Sequence, residues 1–388
     1  MSQIDLHYDL AALLRERRDQ GLTGKGAEHP TASAPASAQT LVHNPQLALL
    51  RAVSTTGSIA KAATQLRQSY RHVWGALKAF EAQCGNPLIE WSRGTAASLT
   101  AFGQRLLYAD DLAQARMAPH IAALKAELHR SIEQAFEPDS QITHMHASHD
   151  EALTLLQQHL MGLKAKPRLH LDVQFVGSVD AIRALNEGRC QIAGFHSLIG
   201  ADMRSLSAKT YRPLLTPGLH KVMGFVQRTQ GLGMAAGNPL GIHALADAAQ
   251  PHVRWVNRAI GTGTRVLLDE LLAKSKLRKN ALRGYRRVEH SHHAAALAVA
   301  QGQADCALML EHVAHSHGLV FVPLAQERFD WVCHKQALNL PQLKRLQDVL
   351  QSQAWRNKLS SLLGYQATPH SGQVLPMTQA LPWWRFVD

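Results

Sequence analysis

Apolar positions along the chain follow two different rhythms. Between residues 45 and 136 they recur at helical spacing. Ile59, Ala62, Ala63 and Leu66 stand at i, i+3, i+4 and i+7, which predicts one buried face of a short helix, with Ser58 placed to cap it. The polar break Arg67-Gln68-Ser69 follows. Ser69 is placed to cap a second helix that carries Val73, Ala76, Leu77 and Phe80 on one side and Tyr70, Arg71, His72 and Lys78 away from it. Upstream, Asn44-Pro45 sets a cap and a first-turn proline ahead of a helix through Val53. Downstream, a strand over 87–91, a turn at Ser92-Arg93-Gly94-Thr95 and a return strand over 97–100 predict a two-stranded wing. Thr100 can then cap a long helix over 102–136 with Leu106, Leu112, Ile121, Leu124, Leu128 and Ile132 in its stripe; Pro119 predicts a kink or short interruption.

From about residue 141 strands alternate with helices. Strands are expected over 169–176, 191–195, 222–227, 253–257, 306–310 and 319–323, and helices over 179–186, 243–248, 264–274 and 293–301. A further amphipathic helix is expected over 343–363. This alternation predicts an open α/β sheet, or two of them. Before residue 41 stand one short helical pattern (Leu6, Leu10, Leu13, Leu14) and a stretch rich in Gly, Ala, Ser, Thr and Pro. The expected plan is a flexible leader over 1–40, a winged helix-turn-helix over 41–101 and a linker and dimerisation helix over 102–138. A ligand-binding α/β domain over 139–370 and a C-terminal tail over 371–388, with Trp383-Trp384 packed somewhere, complete it.

Composition narrows the function. With 388 residues, 46% of them apolar, the chain can build real cores in more than one domain. It has no run of about 18 apolar residues to span a membrane and no basic-then-apolar leader, so a cytoplasmic protein without a membrane partner is expected. Four cysteines without paired spacing read as buried thiols in a reducing compartment. A net charge of +12 suits a polyanionic partner. Joined to the helix pair and the wing, it points to double-stranded DNA, with the second helix entering the major groove first-turn foremost. The expected contacts are Ser69, Tyr70, Arg71, His72, Trp74 and Lys78 on that helix and Arg93 in the wing. The competing reading of the helix pair is a plain helical hairpin with a solvated basic face.

The second half carries a different signal. The strand ending at Asn257 runs into Arg258-Ala259-Ile260-Gly261-Thr262-Gly263-Thr264-Arg265 and a helix. Glycines admit a ligand to the backbone, helix N–H groups point at it, and arginines add charge, so the loop suits an anion. Val266 stands where a dinucleotide fingerprint needs a small residue, and no Gly-Lys-Ser/Thr follows for a Walker loop. Three more junctions bear similar residues: Ser148-His149-Asp150, Gly177-Ser178, and Glu289-His290-Ser291-His292-His293. In an open α/β fold such junctions converge at the strand ends, and this set suits a small oxyanion. Nine of the 23 histidines fall in three clusters at 144–149, 290–293 and 312–317, without HExxH or CxxC, and read as surface or cleft residues rather than a metal site. No nucleophile-and-base arrangement stands out, so neither enzyme activity nor a cofactor is expected. A solute-binding protein or an enzyme on the same fold is the alternative.

Residues 45–107 resemble the winged helix-turn-helix of the ModE group and, more loosely, of LysR-type regulators, through TGSIAKAA, SYRHVW, GNPLIE and SLTAFGQRLL. Residues 140–365 resemble a periplasmic-binding-protein-like effector domain through SHDEAL, VGSVDAIRAL, AGFH, GNPLGI, VNRAIGTGTRVLLDELL and FVPLAQERFD. ModE ends in small molybdate-binding barrels, and this chain does not. The resemblance implies a dimeric or tetrameric transcriptional regulator on a roughly palindromic operator, with a two-lobed effector domain closing on a small anion. It implies molybdate, tungstate or a molybdenum-cofactor-related metabolite as effector, and control of a molybdenum enzyme such as formate dehydrogenase; formate or another small carboxylate is the alternative ligand. The implied cleft residues are Ser148, Ser178, Gly263, Thr264, Arg265 and Ser291, with His149 and His292 beside them. Asp150 and Glu289 are expected to repel an anion unless they hold arginines in place.

Overall fold

The computed structural model describes residues 5–6, 42–91, 97–136, 138–164 and 166–384. The chain divides into two compact units, Met1–Met117 and Ala118–Asp388. The helical pattern expected over 6–14 and the flexible leader lie outside the described residues, except that β1 (Asp5–Leu6) pairs antiparallel with β2 (Val42–His43).

In the first unit α1 (Pro45–Thr56) starts on Asn44, whose side chain accepts from the N–H groups of Gln46 and Leu47. In α2 (Ile59–Gln65) Ser58 occupies the cap position, but its side chain makes no capping bond. The neighbouring Thr56 hydroxyl engages the Ser58 backbone instead. Arg67 closes the turn at φ 55°, in the left-handed region. Ser69 then caps α3 (Tyr70–Cys84) by accepting from His72 N–H at 3.2 Å. Leu50, Val53, Ile59, Ala62, Val73, Leu77 and Phe80 form the core these helices share, and Ala76 is half-buried at its edge. Strands β3 (Ile89–Trp91) and β4 (Ala97–Leu99) pair antiparallel with Ile89 opposite Leu99 and Trp91 opposite Ala97. The expected turn at Ser92-Arg93-Gly94-Thr95 lies outside the described residues.

Thr100 accepts from Gly103 N–H at 3.1 Å and opens α4 (Ala101–Phe136). This helix runs through Pro119 without the short interruption that was one of the two outcomes expected there. Leu106, Leu112 and Ile121 are half-buried, whereas Leu124 and Leu128 stand exposed at 65% and 38%.

The second unit is built on an eight-stranded mixed sheet. Strands β5 (Gln141–Ala147), β6 (Leu169–Phe175) and β7 (Ile192–Leu198) are parallel, with α5 (Glu151–Gly162) and α6 (Ser178–Asn186) between them, and form the first lobe. After α7 (Leu206–Tyr211) comes β8 (His220–Met234), followed by the short α8 (Leu245–Ala248). The second lobe holds β9 (Asn257–Arg258), α9 (Gly263–Lys274), β10 (Val288–Glu289), α10 (His292–Ala300), β11 (Cys306–Leu310) and α11 (Glu311–Ser316). Then follow β12 (Val320–His334), α12 (Pro341–Gln351), α13 (Gln353–Leu359), β13 (Tyr365–Ala367), β14 (Val374–Leu375) and α14 (Met377–Ala380).

The order across the sheet is β11-β8-β12-β7-β5-β6, with β13 and β14 also on β8. Its two faces are covered separately. Met223 and Phe225 point into a core with α5, α10, α12 and α13, while Val222 points into a core with α6 and α9. That alternation is the period of two expected of a strand buried on both faces.

Several expectations need correction. The strands expected over 222–227 and 319–323 each run for 15 residues. The helix expected over 343–363 is two helices, broken at Ser352, which caps the second by accepting from Trp355 N–H at 3.1 Å. The strand expected over 253–257 shrinks to Asn257–Arg258, with Trp255 making a single parallel bridge to Cys306. Helices α7 and α11 were not expected. In the supposed tail, β14 joins the sheet and Trp383 is fully buried. Cys190, Cys306 and Cys333 are buried, and Cys84 is half-buried.

The long strands explain how one sheet serves two lobes. β12 pairs with β7 from Cys333 back to Glu327, and β11 begins its pairing with β8 at Gln230. The changeover thus falls at Arg228 and Glu327, which are direct cross-strand partners. Arg228 Nε donates to Glu327 Oε2 at 2.9 Å, its Nη1 donates to Asp150, and Asp150 also accepts from the Tyr365 hydroxyl. Burial acts to lower the Arg228 pKa, but Glu327 and Asp150 outweigh it and hold it above the ordinary arginine value. Replacing Arg228 by Met leaves both carboxylates buried without their cation. The expected cost is about 3–5 kcal/mol, read as a lower urea midpoint for the effector-unit transition.

Candidate functional site

Two sites emerge, one in each unit. On α3 the first turn presents Tyr70, Arg71 and His72 to solvent, on a helix end fixed by the Ser69 cap. Trp74 and Lys78, expected to meet DNA, have partners of their own. The Trp74 ring lies 5.9 Å from that of Trp91 on the wing strand. Lys78 sits 4.9 Å above Trp74 and pairs with Glu81 at 2.7 Å. Glu81, which pattern reading did not single out, accepts from Leu88 and Ile89 N–H and so ties the wing strand to α3. Arg93 lies outside the described residues.

In the second unit the four strand-to-helix junctions adjoin. A Cβ on Gly177 would come within 3.0 Å of the Gly261 carbonyl, and one on Gly263 within 2.8 Å of the His196 ring. Both glycines mark backbone approaches that a side chain would block. Thr264 Oγ1 lies 3.2 Å from His292 Nε2, joining the third and fourth junctions. Arg258 is buried, donates from Nη1 to the Glu289 carbonyl, and bears electrostatically on His149 in the first junction. Ser178 is buried beside Tyr211. Ser291 and Thr262 serve as caps, accepting from Ala294 and Arg265 N–H. His149 stands edge-on to Phe175 at 4.9 Å.

Arg265, expected to line the cleft, has partners of its own. Its guanidinium lies 3.9 Å from the Tyr285 ring centroid, pairs with Asp269 at 3.7 Å and donates to the Arg258 carbonyl. Arg258 is the cation held among the junctions instead. Burial, then the charge of Arg228, pushes its pKa down to about 9, with Glu289 opposing. The two carboxylates expected to repel an anion thus serve arginines, Asp150 on Arg228 and Glu289 near Arg258.

Pattern reading missed Arg228, Gln230, Glu327, His196 and Tyr365. The polar run Gln227-Arg228-Thr229-Gln230 reads as a strand end, although a buried strand can carry such residues when the opposite strand answers them. Within this cluster Ser148 Oγ, both ring nitrogens of His196, Gln230 Oε1, Arg258 Nε and His292 Nδ1 are buried with no hydrogen-bond partner among the described residues. Buried polar atoms are nearly always satisfied, so this set fits a polar ligand. Of the histidine clusters, His293 bridges Glu151 and His317 at 3.1 Å each. Among the described residues no group of three or more His, Cys, Asp or Glu is set to hold a metal ion.

Among solved structures, the chain superposes on ArgP from Mycobacterium tuberculosis with a TM-score of 0.37 at 20% identity, covering 79% of this chain and 95% of that one. The probable transcriptional regulator PA0477 from Pseudomonas aeruginosa gives 0.37 at 18%, covering 83% and 97%. Residues 45–104 match the bacterial regulatory helix-turn-helix protein, lysR family, and residues 161–351 match the PBP superfamily domain. The uncharacterized protein YvgK of Bacillus subtilis (strain 168) is 32% identical over 260 residues, 67% of this chain and 81% of YvgK. The chain belongs to the YvgK family. It is a LysR-type DNA-binding transcriptional regulator whose PBP-like unit is the ligand-binding effector domain. A second relative, the uncharacterized protein in the ferredoxin 2Fe-2S gene 5' region of Clostridium pasteurianum, is 35% identical over 101 residues, 26% of the regulator and 89% of that protein. No described helix of the regulator is long and apolar enough to cross a membrane.

Two outcomes are expected of the cluster. In Gly263→Ala the new methyl meets a buried His196 ring already wedged 4.2 Å from that of Phe329, so overpacking should cost about 1–3 kcal/mol, seen as a lower thermal midpoint. Burial holds His196 and His292 well below the ordinary histidine pKa, and His220 down to about 4. The fold therefore favours their neutral forms, and the unfolded chain takes up protons first as pH falls below about 6.5. Stability should fall from pH 6.5 towards 4, up to about 1.4 kcal/mol per pH unit for each residue; a flat urea-midpoint profile across that window contradicts it.

Proposed function

We propose that the regulator binds a small oxyanion where the four junctions meet, and that this controls how its paired DNA-binding heads engage an operator. The observation that carries this is the buried Arg258 guanidinium among junctions where Ser148, His292 and the His196 ring against Gly263 carry atoms that have no partner of their own among the described residues. Helix N-termini and hydroxyls from both lobes add dipoles of the sign an anion needs. A ligand touching both lobes favours the closed arrangement over an open one, and that differential affinity is what shifts the output.

Molybdate or tungstate is the effector we favour, with a molybdenum-cofactor-related metabolite or formate as the other candidates and a molybdenum-enzyme operon such as that of formate dehydrogenase as the target. The acceptor-rich tetrahedral oxyanion suits a donor set of arginine, histidine, hydroxyl and backbone N–H. The regulator acts as a cytoplasmic dimer or tetramer, with exposed Met117, Leu124 and Leu128 on α4 supporting self-association. On this reading Tyr70, Arg71 and His72 meet the DNA, with Ser69 positioning them.

A thermal-shift panel of molybdate, tungstate, sulfate and formate on the full chain tests the effector. One oxyanion is expected to raise the melting midpoint, by about 2.7 kcal/mol of stabilisation at a hundredfold excess over its Kd. Arg258→Gln should abolish that rise while Arg265→Gln leaves most of it. A rise that survives Arg258→Gln overturns the assignment.

A further inference from the structure

The regulator's excess positive charge is concentrated away from its DNA-reading head. Residues 118–388 carry 29 Lys and Arg against 20 Asp and Glu, nine of the chain's twelve excess charges. Seven cations fall in 274–287, the link from the end of α9 to β10, which contains no Asp or Glu: Lys274, Lys276, Arg278, Lys279, Arg283, Arg286 and Arg287. The rest of the effector unit is close to neutral, so this segment sets the charge of its surface.

All seven side chains are exposed. Lys274 pairs with Glu270 and Lys279 with Asp269. Lys276, Arg278, Arg283, Arg286 and Arg287 have no carboxylate in ion-pair range among the described residues. Asp305, the acidic group near Arg283, is occupied by Arg254 at 2.6 Å. The segment is pinned from beneath. Leu282 is buried, Trp255 N–H donates to the Arg283 carbonyl at 2.7 Å, Asn257 N–H donates to the Arg287 carbonyl at 2.8 Å, and the Tyr285 hydroxyl donates to Asp269. A cationic group held on a fixed backbone loses little entropy on binding an anion. Arg287 also donates from Nη1 to the Gln303 carbonyl at 2.6 Å. Of the four remaining cations three are arginines, whose planar forks suit phosphate oxygens.

We infer that segment 274–287 is a second DNA-binding surface, which grips the phosphate backbone without reading sequence. The inference rests on the DNA-binding function of the head. Duplex DNA is the occupant because the head already holds it on the same chain, at an effective concentration in the millimolar range for a tethered site. Mutually repelling cations on one exposed segment find compensation on a phosphate backbone.

The test uses full-length protein and a 60-base-pair duplex of random sequence, with binding measured from about 50 to 200 mM salt. Lys276→Gln, Arg278→Gln, Arg283→Gln and Arg286→Gln are combined in one variant, and Lys276→Gln with Arg278→Gln in a milder second. Arg71→Ala in the head is the comparison. Each phosphate contact adds roughly 0.9 to the slope of log affinity against log salt, so the fourfold variant should lose about 2 to 4 from the parent slope and the twofold variant about half as much. Slopes equal to the parent's in both variants, with binding weakened by Arg71→Ala, overturn the surface and leave the head standing; an acidic protein partner would give that result. Unchanged binding in all three variants overturns DNA binding by the head as well.

Discussion

The effector unit depends on a single buried cation. Arg228 sits where the two longest strands pass from one lobe to the other, with Glu327 opposite it on β12 and Tyr365 beside it on β13. A guanidinium shut away from water persists there because two carboxylates meet it, and each carboxylate has a second task. Asp150 accepts from Ala152 N–H and so caps α5; Glu327 accepts from the Gln230 amide. The first junction of the first lobe is thereby tied to the strands that cross between lobes. The strands that join the lobes are thus held at their midpoint by charge, in a medium where an unpaired ion is very costly.

Arg258 shows the same electrostatics in reverse. It lies within reach of Arg228's charge, and its own compensation is incomplete: a backbone carbonyl, the neighbourhood of Glu289 and an Nε without a partner among the described residues. Around it stand histidines that burial keeps neutral, so they act as dipoles rather than as further charges. The exposed segment 274–287 completes the contrast. Inside, Arg228 is met by two carboxylates; outside, Lys276, Arg278, Arg283 and Arg286 have no carboxylate in ion-pair range among the described residues.

Much of this was readable in the chain because the physics was local. The Asn44 and Ser69 caps, the period-3.6 faces of α2 and α3 and the glycine-bearing loop before α9 each depend on residues a few positions apart. The junctions that carry Ser148, Ser178, Thr264 and Ser291 were legible from the alternation of strands and helices. What escaped depended on register. Arg228 and Glu327 are 99 residues apart, and nothing nearby in either segment announces a partner. The polar run 227–230 looked like a strand ending because its compensating groups are distant in sequence. The packing of Arg265 on Tyr285 and of Trp74 near Trp91 on the wing strand likewise joins residues too far apart in sequence for a local pattern to show.

The approach of Gly177 to Gly261 is one of main chain to main chain. A Cβ at residue 177 would come within 3.0 Å of the Gly261 carbonyl, so the spacing of the two loops there is set by backbone. Side chains elsewhere in the surrounding junctions are free to differ without altering that spacing.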